Sequence, residues 1–304
     1  MYNLYPNISQ KIKVLLKKLN LKTYSEKIED AIKDEKRFYR TSGKTKDGKK
    51  IFLKTLLAKE IGIKNRFLNE INFLKTIKEN KNYPLTKFVP QVLDYSLNFD
   101  FPYLLEDFLP GKARRREDKF SKKEIEKIAE LIVLVNSSKN IFDFIPKKPL
   151  FSFSFYKRKF FSQLNKLEIK TDLKKKIKNF IKKNRKIFYE IKPKLTHGDF
   201  SEANLLFSKN QIKLVDWEHV HLRNPLYDLA GFWVKRKSRP KEQRILVKEY
   251  LKKGGLFLDP FFKLAIIEIV LQDLILFQKI SKISKNKKIK KEIAETLALL
   301  ENVI

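Results

Sequence analysis

The chain has 304 residues, 42% of them hydrophobic, with no cysteine and 68 Lys+Arg against 35 Asp+Glu, a formal charge of +33. The apolar share suffices for one large core or two modest ones, and the absence of cysteine excludes disulfides and thiolate metal sites. The charge is carried by 56 lysines and only 12 arginines. Arginine is the better fork for phosphate and base edges, so the bias reads as codon drift towards A and T, and no specific nucleic-acid partner is expected.

MYNLYPNISQKIK (1–13) lacks the apolar stretch of a signal peptide, which with the missing cysteines gives an expectation of a cytoplasmic protein. Residues 8–32 read as helical. RFYRTSGKTKDGKKIFLKTL (37–56) reads as two strands around a turn at Asp47-Gly48. Within it SGKT (42–45) imitates the end of a phosphate-binding loop. The full pattern needs a glycine where Phe38 stands and a helix afterwards, so that reading is set aside. NRFLNEINFLKTIK (65–78) is a helix, and FPYLLEDFLPGK (101–112) is a strand ending in a Pro-Gly turn. Arg114, Arg115 and Arg116 read as a solvated charge run. KKEIEKIAELIVLV (122–135) has Ile125, Ile128, Ile132 and Val135 at helical spacing, and residues 173–191 repeat that pattern. LAIIEIVLQDLILF (264–277) is too short, and with Glu268 and Asp273 too charged, to span a membrane. It is expected as a buried helix, while peripheral contact with an anionic membrane stays open. A strand-rich first third therefore precedes a helix-rich remainder, and the expected division is 1–107 and 108–304.

HGDFSEANLLFSKNQIKLVDWE (197–218) is the densest chemistry in the chain. After Asn204, two short strands around a turn at Lys209-Asn210 bring Asp216 back towards the amide. Hard Mg²⁺ takes one or two oxygen ligands from protein and the rest from phosphate and water. Asn204 and Asp216 suit that role, which leaves Asp199 to accept a proton from a substrate hydroxyl. Singly each residue would read as a turn or cap; the joint spacing H-G-D-x4-N, then an apolar strand into D-W-E, sets them apart.

This segment resembles the catalytic segment of the aminoglycoside phosphotransferase and choline kinase-like family of small-molecule kinases, and NPLYDLAGFW (224–233) resembles the segment that follows it, with Asn224 in place of an acid. The resemblance implies an α+β, two-lobed protein-kinase-like fold. It implies a nucleotide-binding lobe over 1–107 and a helical lobe with catalytic loop and acceptor site over 108–304. The reaction implied is Mg²⁺-dependent transfer of the γ-phosphoryl of ATP or GTP to a small-molecule hydroxyl. By the same analogy Asp199 is the base, Asn204 and Asp216 hold the metal, His197 orders the loop and Asp228 braces it.

The family also pairs a strand lysine with a helix glutamate at the nucleotide phosphates. Lys54 stands inside the apolar run IFLKTL. Glu70, sixteen residues on, falls within the apolar arc of its helix, between Leu74 and Ile77. An acid there is costly unless paired, and Lys54 is the expected partner. PYLLEDFLPGK resembles the connector between lobes, which places Glu106 and Phe108 at the nucleotide by position. No glycine-rich loop precedes Lys54, so a phosphate-covering loop is expected within residues 30–43. Two rivals remain from other classes: a silent kinase-like binding module and a basic nucleic-acid-binding protein.

Overall fold

The computed structural model describes residues 4–23, 27–34, 36–98, 101–139, 141–145, 152–209, 211–284 and 286–304. In chain order the elements are α1 (Ile8–Lys18), β1 (Lys22–Thr23), α2 (Ile28–Lys33), β2 (Phe38–Lys44), β3 (Lys50–Leu56), α3 (Ile61–Glu79), β4 (Val92–Ser96), β5 (Tyr103–Asp107) and β6 (Lys112–Ala113). There follow α4 (Lys122–Ser137), α5 (Phe153–Lys166), α6 (Thr171–Lys183), α7 (Ile187–Glu190), β7 (Lys194–Thr196), β8 (Leu205–Phe207), β9 (Ile212–Leu214), β10 (His221–Arg223), α8 (Tyr227–Lys235), α9 (Pro240–Lys252), α10 (Asp259–Ile283) and α11 (Lys287–Val303). They gather into two compact units. One comprises the chain to Arg114 with 141–145 and 203–220; the other comprises 115–140, 146–202 and 221–304.

The first unit is built on an antiparallel sheet in the order β1-β2-β3-β5-β4. One face carries Ile51, Leu53 and Leu105, which pack with Leu15 of α1. Because strand residues alternate between faces, Phe52, Lys54, Leu104 and Glu106 occupy the other. Phe38 of β2 meets Phe67 of α3 on that side, with ring centroids 5.3 Å apart.

Residues 8–32 are not one helix. Asn20 takes a left-handed φ of 50°, and the Leu21 amide reaches back to the Leu16 carbonyl at 3.0 Å. That closes α1, and β1 follows. The hairpin also differs from a two-residue Asp-Gly turn: Lys44 pairs with Lys50, leaving five residues in the turn, and Gly48 supplies its left-handed position at φ 81°. Ser42, Gly43 and Lys44 lie in β2, and a strand, not a helix, comes next. The window 30–43 proposed for a phosphate-covering loop holds the end of α2 and most of β2. In the later hairpin β8 pairs with β9; Asn210, half of the expected turn, lies outside the described residues.

The second unit is helical. Ser121 and Glu124 form a reciprocal capping box at the start of α4. The apolar stretch 264–277 lies within α10, where Leu264 through Leu271 are all buried. That helix packs against α5, α8 and α11, and α4 packs against α9. No described helix is long and apolar enough to cross a membrane.

Candidate active site

In the second unit β7 runs into the H-G-D loop and pairs antiparallel with β10. Gly198 turns the loop with φ 85°, a conformation that side chains with a Cβ resist. Asp228, in the first turn of α8, accepts from the backbone amides of His197 at 2.7 Å and Gly198 at 2.9 Å. The expected brace is therefore present. Burial pushes the Asp228 carboxyl up to about 6, in spite of those two amides. His197 is fully buried, and its Nδ1 accepts from the Asp199 amide at 3.3 Å, so the ring supports the backbone that carries Asp199. Asn224 has a task no ionised acid could perform. It donates through Nδ2 to the Phe261 carbonyl at 2.8 Å and accepts through Oδ1 from the Leu226 amide at 3.0 Å.

The other six residues singled out in the sequence share one place in the first unit. Lys54, Glu70, Glu106, Phe108, Asn204 and Asp216 all line a cavity of about 300 Å³. Lys54 is 3% exposed; its Nζ lies 2.5 Å from Glu70 Oε2 and 2.6 Å from Asp216 Oδ1. Burial lowers the proton affinity of Lys54, but the two carboxylates outweigh it and hold the ammonium above its ordinary range. Phe38 and Phe67 complete its surroundings, with centroids 4.6 Å and 5.6 Å from Nζ. Glu70 holds more than the lysine. Its Oε1 accepts the Trp217 amide at 3.2 Å, and the Trp217 indole stacks on Phe73 of α3 at 4.1 Å. Asp216 has left-handed backbone angles, φ 67° and ψ 56°, which aspartate tolerates better than most residues.

Two features were not legible. Arg40, paired with Lys54 across β2 and β3, reaches Asp216 Oδ2 at 3.3 Å. Its signal would have been the hairpin register. Connector position alone places Glu106 at the nucleotide, yet its side chain is 6% exposed and its Oε1 has no hydrogen-bond partner among the described residues. Burial, then the charge of Glu70, push its carboxyl well above the usual range. Beside it Asp107 Oδ1 accepts the Gln91 amide at 2.6 Å, and Phe108 is 38% exposed.

The donor chemistry suits a hard divalent cation. Among the described residues no group of three or more His, Cys, Asp or Glu could hold a metal by itself. Asn204 and Asp216 offer an amide and a carboxylate to one cavity, a set that phosphate and water would complete.

Residues 59–263 match the phosphotransferase enzyme family. The chain belongs to that family. No curated protein matches it significantly, but many solved structures share the fold. One is the macrolide 2'-phosphotransferase of Brachybacterium faecium, 14% identical, covering 95% of this chain and 98% of that one at a TM-score of 0.63. Another is the ethanolamine kinase of Plasmodium vivax, 17% identical, covering 98% and 94% at 0.61. A third is a spectinomycin phosphotransferase in complex with ADP and spectinomycin, 12% identical, covering 94% and 92% at 0.58. The phosphotransferase thus has the protein-kinase-like α+β fold, with a strand-rich first unit and a helical second one.

Proposed function

We propose that this phosphotransferase moves the γ-phosphoryl of ATP or GTP to a hydroxyl of a small molecule, with magnesium. The observation that carries the reading is the buried cluster in which Lys54 touches both Glu70 and Asp216 at the wall of a cavity that Asn204 also lines. A buried ion pair is weak support for stability, whereas a lysine held charged at a cavity is a ready partner for phosphate oxygens. The ADP in the spectinomycin phosphotransferase complex agrees with that use. A magnesium ion at Asn204 and Asp216 would neutralise phosphate charge. Arg40 and Lys54, now on Asp216, would turn part of their charge to the phosphates. Phe108 would offer an aromatic face at the mouth of the cavity.

Asp199 is the proposed base, accepting the hydroxyl proton, with His197 and the Asp228 brace holding its backbone in place. Catalysis would then rest on positioning and charge neutralisation. The acceptor belongs to the helical lobe beyond residue 111. Residues 231–304 carry 17 basic and 8 acidic side chains. In the same unit Lys159 and Arg223 share the single carboxylate of Glu268, at 2.5 Å and 3.8 Å. The basic balance of 231–304 favours a neutral or anionic alcohol over a polycationic aminoglycoside.

The test is ATP consumption over a panel of sugars, amino alcohols, aminoglycosides and anionic alcohols. For the acceptor that is turned over, Asp199→Asn should lower turnover by about 10²–10⁴ with nucleotide affinity unchanged. Undiminished turnover in Asp199→Asn would remove it from the chemistry.

A further inference from the structure

Glu106 stands on β5 opposite Phe52 of β3 and Val92 of β4. It lines the first unit's cavity, and its Oε1 is buried with no hydrogen-bond partner among the described residues. A buried carboxyl in that condition is costly unless a ligand completes it. The charged and titratable groups facing it are Glu70 on α3, Lys54 on β3, Asp107 on β5 and Asp216 after β9, with Arg40 of β2 on the same cavity. The Lys54 ammonium is already held between Glu70 and Asp216. Burial first, then the charge of Glu70, makes the Glu106 carboxyl hold its proton to a higher pH than an ordinary glutamate.

A neutral carboxyl presents one O–H donor beside one C=O acceptor. That is the hydrogen-bonding pattern of a glutamine amide, which reads adenine through its N6 donor and N7 acceptor. Guanine offers two acceptors on the same edge, O6 and N7. Only the O–H could then be satisfied, and the C=O would face O6. An ionised Glu106 would present two acceptors and match N7 of neither base.

We propose that the Glu106 carboxyl, buried in the wall of this cavity with an open Oε1, reads the N6/N7 edge of the nucleotide base and selects adenine over guanine. The inference rests on the reading of the cavity as the nucleotide site. It makes Glu106 a specificity-determining side chain, a role that connector position alone does not assign.

The experiment is calorimetric titration of the full chain with Mg-ATP, Mg-GTP and the magnesium complex of 7-deazaadenosine triphosphate, which lacks the N7 acceptor. Wild type, Glu106→Gln and Glu106→Met are compared, with a thermal melt of each to establish folding. One well-formed bidentate base contact discriminates by about 5-fold to about 150-fold. The wild type should prefer ATP over GTP by that factor and bind the 7-deaza nucleotide more weakly than ATP. Glu106→Gln should keep the preference, and Glu106→Met should bring the two affinities together. An ATP:GTP ratio unchanged in Glu106→Met, or lost in Glu106→Gln, overturns the inference while leaving the nucleotide site standing. The ligand arm needs no variant: equal wild-type affinity for ATP and its 7-deaza analogue also overturns it. No binding of any of the three nucleotides overturns the nucleotide reading itself.

Discussion

Replacing Asp228 with asparagine isolates a proton that the fold retains. The folded carboxyl titrates at about 6, against an ordinary value of 3.8, because it is 1% exposed and burial disfavours its charge. Between those values the folded chain keeps the proton and the unfolded chain has released it. Stability therefore falls as pH rises from about 4 to about 6, the direction required when the folded state binds more protons. A difference of roughly two pH units at 1.36 kcal/mol each amounts to about 3 kcal/mol. Urea unfolding of wild type and Asp228→Asn, repeated across that range, separates this contribution from every other carboxylate. Wild-type stability should fall relative to the variant by about 3 kcal/mol and level off above the folded value. Parallel curves would refute the shift and with it the reasoning that burial outweighs the His197 and Gly198 amides.

Lys54→Met should destabilise the protein by about 3–5 kcal/mol, since it strands Glu70 as a buried charge. The double variant with Glu70→Met should recover part of that loss, and additive single effects in urea titrations would deny the coupling. Asp216→Asn and Asp216→Ala should both lose the magnesium-dependent part of ATP binding in calorimetric titrations run with and without the metal. Alanine should cost a further ~1 kcal/mol or more of stability, because it must hold the left-handed backbone; unchanged magnesium dependence in both would place the ligands elsewhere.

Much of the site could be read from the chain because its residues violate local expectations. Lys54 interrupts an apolar strand and Glu70 an apolar helix face, so each sequence position asks for a partner, and the structure joins them at 2.5 Å. The spacing from Asn204 to Asp216 works similarly, because the β8–β9 hairpin returns the chain so that the Val215 amide meets the Asn204 carbonyl at 3.0 Å. Arg40 was hidden by a single residue of register. A two-residue turn at Asp47-Gly48 would set Lys54 opposite Thr41; the five-residue turn sets it opposite Arg40, and a one-residue slip exchanges the faces of a strand. The burial of the Glu106 side chain is hidden for another reason. The residue follows two leucines in YLLED, where a fully apolar strand and an alternating one look alike. The break between α1 and β1 turned on the left-handed Asn20, a weak signal among so many asparagines.

The stacking of Trp217 on Phe73 gives this protein an internal optical probe. The chain has two tryptophans, and each unit holds one. Trp217 is fully buried in the first, next to Asp216 and gripped through its amide by Glu70. Trp233 lies in the second, edge-on to Phe262 at 5.6 Å. With Trp233→Phe in place, all tryptophan emission comes from the seam between α3 and the D-W-E segment, without any attached dye. Emission from that variant would follow melting of the first unit alone. Trp217→Phe would do the same for the second. Two emission curves that coincide would mean the units unfold as one cooperative body, and two that separate would give each its own stability.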